Sequence, residues 1–277
     1  MQVRFYNEAL LPEAQRDHID VVLVSPRNPL NIGAVARAMA NFGFERLGVV
    51  APYAPHWREA RSAIGAPELL QGAIETSSLA DAVKDCTLVI GTGTLTYRKP
   101  EQRVISLPSL AALIQRELAR GGRIALVFGP EKHGLTRDDL SYCHVLAEIP
   151  TDPRQPSMNL GQAAAVCLYE IASRCFPAEV AASEAPHSKA SKSNHAETNS
   201  SDVSASSGNL DILAALVEEV MIEAKYSPRT MQAANRHGIR LLLRRLNVNS
   251  ADSKRILGIF RRILWRLRRT ASSNVTS

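Results

Sequence analysis

A chain of 277 residues, 45% of them hydrophobic, carries enough apolar side chain to bury the core of a large domain and a smaller one beside it. It holds no run of eighteen apolar residues to span a bilayer and no apolar secretory core between Met1 and Asp17, so a soluble, cytoplasmic protein with no membrane partner is expected. Cys86, Cys143, Cys167 and Cys175 stand at wide, irregular spacings with no C-x-x-C pair, so they read as reduced, mostly buried thiols and no metal is expected; the formal charge of +6 is modest.

Between about Ile19 and Cys175, short β-rich apolar runs alternate with helical patterns, which is how a mostly parallel α/β sheet reads. The spacing predicts strands over Ile19–Val24, Arg46–Val50, Thr87–Ile90, Ile124–Phe128 and Val145–Ile149. It predicts helices over Ile32–Phe42, Leu107–Ala119 and Leu160–Ser173. The continuous apolar character of the strands points to cover on both faces. From Ala178 to Gly208 the chain turns to Ala, Ser, Glu, Lys, Asn and His, too poor in large apolar residues to offset the entropy of ordering, so 178–208 is expected to be a linker between an α/β domain over 1–177 and a helical unit over 209–277. In that last stretch Leu210, Leu213, Val217, Val220 and Met221 recur at helical spacing, as do Ile256, Phe260, Ile263, Leu264 and Leu267, with arginines on the remaining faces. From Asn209 onward, 13 Lys and Arg meet five Asp and Glu, a surplus of eight that leaves residues 1–208 at −2. A concentrated surplus of this kind suits a polyanion by counterion release, although a solvated basic helix surface also accounts for it.

Three polar loops each follow a predicted strand. The first, Asn28-Pro29-Leu30-Asn31-Ile32-Gly33-Ala34-Val35-Ala36-Arg37, opens a helix in which Val35, Met39 and Phe42 form a core stripe and Arg37 is turned roughly 200° from Val35. Asn31 sits where an N-cap is expected, and capping alone would account for it; Arg37 reads equally as a ligand-facing cation or a surface charge. The second is Phe128-Gly129-Pro130-Glu131-Lys132-His133-Gly134-Leu135, followed by Thr136 and Asp139 placed as a capping box. A glycine at the carboxyl end of a strand lets a ligand approach the backbone, at the sheet edge where open α/β sheets bind ligands, though Gly129 and Gly134 also suit plain turns. Gly91-Thr92-Gly93-Thr94 has the same ambiguity and lacks the third glycine of a dinucleotide fingerprint. The third is Ile149-Pro150, then Pro156-Ser157-Met158-Asn159-Leu160 before an alanine-rich helix, with a simple cap as the alternative reading of its polar residues.

In order, these segments resemble the three signature motifs of the SpoU branch of the SPOUT methyltransferases. That pattern has an Asn six residues before an Arg (Asn31, Arg37), F-G-x-E-x-x-G-L (Phe128–Leu135), and I-P followed by S-x-N (Ile149-Pro150, then Ser157-Met158-Asn159). The likeness covers roughly Ile19 to Cys175, and Met158 stands where leucine is common, a swap of similar volume. Within the family, the carboxy-terminal Leu242-Leu243-Arg244-Arg245-Leu246 and Ile256-Leu257-Gly258-Ile259-Phe260 look like the basic helical extension of the tRNA methyltransferases that modify the ribose at anticodon-loop position 32.

The resemblance implies an α/β fold whose mostly parallel sheet ends in a carboxy-terminal trefoil knot, a homodimer, and S-adenosyl-L-methionine as methyl donor for a 2′-hydroxyl of tRNA. It places Thr92, Gly93, Thr94, Gly129, Ile149, Pro156, Ser157 and Met158 around the cofactor, and Asn31, Arg37, Glu131, Ser157 and Asn159 as the polar set nearest the transferred methyl. A guanidinium makes a poor base, so Arg37 is read as an electrostatic and phosphate-positioning group that favours an alkoxide-like transition state. Ribosomal RNA as substrate, or a non-catalytic RNA-binding protein of this fold, are the competing readings.

Overall fold

The computed structural model describes residues 11–93, 100–174 and 203–273. The apolar runs become strands because each is covered on both faces. Seven form one sheet: β1 (Ile19–Val24), β2 (Arg46–Val50), β3 (Ile74–Thr76), β4 (Leu88–Thr92), β5 (Arg103–Ser106), β6 (Ile124–Phe128) and β7 (Val145–Glu148). Their order is β3-β2-β1-β6-β4-β7-β5, and every pairing is parallel. Along β1 the side chains divide by parity, with Val21 and Leu23 in one core cluster and Val22 and Val24 in the other. The strand predicted over Thr87–Ile90 runs instead over Leu88–Thr92, and β7 stops at Glu148, one residue short of Ile149. Neither β3 nor β5 was expected: at three and four residues, with Ile74 and Val104 exposed, they give no apolar period to read.

Ten α-helices and three short 3-10 helices (Trp57–Glu59, Leu107–Ser109 and Arg229–Met231) complete the described residues. The α-helices are α1 (Glu13–Arg16), α2 (Pro29–Phe42), α3 (Pro67–Gln71), α4 (Leu79–Val83), α5 (Ala111–Ala119), α6 (Arg137–Ser141), α7 (Leu160–Arg174), α8 (Ser207–Glu223), α9 (Gln232–Leu246) and α10 (Ser250–Ser273). The larger core cluster lies under α2, α5 and α7, and the smaller under α4 and α6. Helices α2 and α7 pack closely because Gly161 has no side chain: a Cβ there would stand 2.7 Å from that of Ala34.

Chain order runs outward from β1 to β3 on one side and then jumps to β4 on the other. The reversal leaves a crevice at the carboxyl ends of the central strands, where loops from β1, β4, β6 and β7 meet.

The carboxy-terminal helices have their own cluster of Ala205, Leu210, Leu213, Ala214 and Leu243, and they lie against the α/β body. Helix α8 begins at Ser207, inside the stretch assigned to the linker, with Ser206 Oγ accepting from Asn209 N at 3.4 Å. The amides of Ser207 and Gly208 donate to the carbonyls of Cys86 and Lys84 at 2.8 and 2.9 Å. Buried Arg244 donates to Tyr142 O and to Asp211 Oδ1, each at 2.9 Å, and Arg240 pairs with Asp138 at 3.0 Å. Part of the basic surplus therefore serves docking rather than solvent or ligand.

Candidate active site

Pro26, Asn28 and Pro29 bring the first loop into α2. The cap there is Asn28, not Asn31: Asn28 Oδ1 accepts from Leu30 N at 3.0 Å, and Pro29 supplies the first helical residue, where no N–H is needed. Asn31 is displaced one turn into the helix, which frees both ends of its amide. Its Nδ2 donates to Glu131 Oε1 at 2.9 Å, and its Oδ1 accepts from Asn159 Nδ2 at 3.0 Å.

Glu131 projects from the loop after β6. Gly129 sets that loop's course, since a Cβ there would lie 2.2 Å from Leu135 N and 2.3 Å from the Gly134 carbonyl carbon. Gly134 closes the turn at φ +63°, and Thr136 with Asp139 forms the expected capping box of α6. The Glu131 carboxylate accepts from the backbone N–H groups of Arg27 and Asn28 as well, each at 3.1 Å. Partial burial pushes its pKa up, but hydrogen bonds from Asn31, from its own amide and from those of Arg27 and Asn28 outweigh that and hold it below the usual carboxylate range.

Asn159 caps α7. Its Oδ1 accepts from Gly161 N at 2.9 Å while its Nδ2 reaches Asn31. One continuous chain of hydrogen bonds, Glu131 to Asn31 to Asn159, thus ties together the loops after β6, β1 and β7.

Beside it opens a cleft of about 360 Å³, lined among others by Thr92, Gly93, Gly129, Ile149, Pro156, Ser157 and Met158. Every residue predicted for the cofactor lines this cleft except Thr94, which lies outside the described residues. Thr92 is buried and donates its Oγ1 to Val127 O at 2.9 Å, while a Cβ on Gly93 would meet nothing within 4 Å. The wall is mixed, with Ile149, Met158, Leu160 and Ala163 against the polar groups of Glu131, Lys132, His133, Glu148 and Thr151. Of the polar set, Glu131 and Ser157 line the cleft, and Asn31, Asn159 and Arg37 do not. Arg37 is exposed on α2, six residues beyond Asn31 or about 9 Å along the axis, with no side-chain hydrogen bond or ion pair among the described residues. Sequence reasoning passed over Lys132 and His133, the unspecified positions of the second loop's pattern. It also passed over Asn28, whose signal was the Asn-Pro step. The described residues hold no group of three or more His, Cys, Asp or Glu placed to bind a metal, and no helix long and apolar enough to cross a membrane.

The model of the SpoU rRNA methylase family matches residues 18–169. The chain belongs to this family. Among its relatives, the tRNA (cytidine/uridine/adenosine-2′-O-)-methyltransferase TrmJ of Pseudomonas aeruginosa is 33% identical over 260 residues, 92% of this chain and 95% of the relative. The tRNA (cytidine-2′-O-)-methyltransferase TrmJ of Methanocaldococcus jannaschii is 38% identical over 155 residues, 55% of this chain and 66% of that one. The crystal structure of TrmJ from Z. mobilis ZM4 superposes with a TM-score of 0.71 at 26% identity, over 88% of this chain and 98% of the other. As a SpoU methylase, the chain keeps all five polar residues of its three motif loops, and four of the five surround or connect to the cleft.

Proposed function

We propose that this SpoU-family chain transfers the methyl group of S-adenosylmethionine to a ribose 2′-hydroxyl of tRNA, at anticodon-loop position 32, as a cytoplasmic homodimer that needs no metal. The observation that carries the reading is the Glu131–Asn31–Asn159 chain, which joins the three motif loops around one cleft. Alignment over nearly its full length with a tRNA 2′-O-methyltransferase supports the substrate class. The trefoil knot and the division into an α/β domain and a basic RNA-holding extension belong to the same proposal.

The cleft fits the cofactor's chemistry. Ile149, Met158 and Leu160 offer an apolar wall to an aromatic base, and the open approach at Gly93 leaves backbone groups free for its polar edge. When bound, S-adenosylmethionine supplies an electrophilic methyl on a sulfonium. Transfer to the ribose oxygen would break the carbon–sulfur bond, leave a neutral thioether and pass the hydroxyl proton to solvent, so the protein's work is orientation and charge. A guanidinium donates hydrogen bonds and accepts none, so Arg37 stabilises the oxygen as negative charge develops and grips the neighbouring phosphate. Glu131, Asn31 and Asn159 act through α2: they fix the first turn of the helix that carries Arg37. Ser157, at the cleft's edge, holds the third loop against the bound molecule.

A second reading, ribosomal RNA as substrate, draws support from the description of the matched family model. Incubation with labelled S-adenosylmethionine and either unmodified tRNA transcripts or ribosomal RNA, followed by mass-spectrometric mapping, separates the two. A 2′-O-methyl at position 32 is the expected result. Methyl on ribosomal RNA alone replaces the substrate, and no transfer with intact cofactor binding removes the enzymatic reading.

A further inference from the structure

We propose that Trp265 is a stacking platform for an unpaired RNA base, flanked by Arg262 and Arg269, on the outer face of α10. The proposal rests on the RNA-substrate reading above and adds the contact that would seize a splayed nucleotide.

Helix α10 turns part of its apolar side inward, leaving Ile259 and Ile263 exposed. Leu264 is buried, and Ile256 and Leu257 pack against the cluster centred on α8. Trp265, one residue beyond Leu264 and so about 100° around the helix, remains 41% exposed. At about 100° per residue, Lys254, Arg255, Arg261, Arg262, Arg266, Arg268 and Arg269 all fall within about 100° of the indole. The Arg262 and Arg269 guanidiniums stand 4.3 and 4.7 Å from its ring centre, at positions i−3 and i+4. On this face Gly258 also points outward, and a Cβ there would meet nothing within 4 Å, so the ground beside the indole is open.

Three features decide the ligand class. The partly exposed indole offers a π-face over which two guanidiniums lie, a place that a flat base can take from them. The surrounding cations ask for a polyanion, since seven Lys and Arg share this side of the helix while the acids that meet them include Glu219 and Glu223 at Arg268 and Asp252 at Arg255. An anionic lipid surface would require apolar neighbours beside the tryptophan, but the positions one turn either side of it are Arg261, Arg262, Arg268 and Arg269, and the exposed Ile259 and Ile263 lie about 120° and 160° round the helix. Single-stranded RNA supplies both flat bases and phosphates. A base stacking on the indole displaces the guanidiniums onto the flanking phosphates, exchanging a cation–π contact for a stack and ion pairs.

The chain carries its own reporter. It has two tryptophans, and Trp57 is 1% exposed in the α/β core with its Nε1 donating to Glu75, so RNA-dependent quenching reads Trp265. Titration of the full-length protein with unmodified tRNA and with a short single-stranded RNA is expected to quench this emission. Trp265→Ala should weaken tRNA affinity on the order of ten-fold while leaving the slope of log affinity against log salt unchanged. Trp265→Phe should restore most of the affinity, and Arg262→Gln with Arg269→Gln should flatten the slope by roughly two. Native affinity in Trp265→Ala, or quenching by anionic vesicles or an acidic peptide but not by RNA, overturns the proposal. If RNA quenches Trp265 but no RNA is methylated, the proposed reaction fails and this contact stands.

Discussion

Replacing Glu131 by alanine should slow methyl transfer without unfolding the protein. The carboxylate accepts three hydrogen bonds, from Asn31 Nδ2 at 2.9 Å and from the amides of Arg27 and Asn28 at 3.1 Å. Bonds to a charged acceptor contribute about 1.5–3 kcal/mol each when buried, but Glu131 is exposed and water replaces part of every one, so about 0.5–1 kcal/mol apiece is the appropriate scale. Losing all three frees the first turn of α2 by about 2 kcal/mol, which corresponds to about a 30-fold drop in kcat/KM if Arg37 is positioned through that turn. Glu131→Gln keeps the shape and the oxygen facing Asn31 but turns an amide nitrogen toward Arg27 N, so its loss should be only a few-fold. Single-turnover transfer from labelled S-adenosylmethionine to tRNA measures both, with a melting curve as a control for folding. If Glu131→Ala retains kcat/KM within two-fold of native, the loops are held by something other than this carboxylate.

Other substitutions separate the remaining roles. Arg37→Lys keeps the charge and loses the planar fork, and turnover should fall at least ten-fold with cofactor affinity unchanged in calorimetry; full turnover removes the fork from the mechanism. Gly129→Ala forces a Cβ to 2.2 Å from Leu135 N, so cofactor binding should be lost together with several degrees of Tm. Arg244→Ala leaves the partly buried Asp211 without this partner and should cost about 2–3 kcal/mol, below the range for a fully buried pair, seen as protease-sensitive release of α8–α10 before the α/β body is cut. His144 is partly buried, and its pKa is pushed down from 6.5 to about 3, chiefly by loss of solvent around the ring and then by Arg244. The unfolded chain therefore takes up a proton that the folded one refuses. Stability is full above pH 6.5 and declines as pH falls toward 3, by about 1.4 kcal/mol per unit at most. Urea titrations at pH 7 and 5 should differ by about 2 kcal/mol, and His144→Gln should remove that difference.

The central strands were legible because parallel strands buried on both faces read as unbroken apolar runs, as Ile124–Phe128 does. The three polar loops were legible because each follows such a run. What could not be read was which asparagine does what. Asn28 and Asn31 both suit a cap, and only Pro29 at the first helical position assigns the cap to Asn28. The capture of the Arg27 and Asn28 amides by Glu131 joins residues more than 100 positions apart, a separation no local period encodes. The docking arginines carry the same letter as those on the outer face of α10. Arg244 became a buried strut because Tyr142 O and Asp211 lie opposite it, a fact of tertiary packing and not of composition.

The hydrogen bonds that join the three loops all run in one direction. The N–H groups at the start of α7 donate to Asn159, Asn159 donates to Asn31, and Asn31 donates to the carboxylate of Glu131. No amide along this line can be turned over, because each would then present a donor to a donor or an acceptor to an acceptor. The polarity is imposed at one end by a helix terminus and at the other by a formal charge. The smallest chemical edit to the site, the oxygen-for-nitrogen exchange that makes aspartate of Asn31, would set two carboxylates face to face. A change of one heavy atom would then separate loops that loss of the whole side chain would merely loosen.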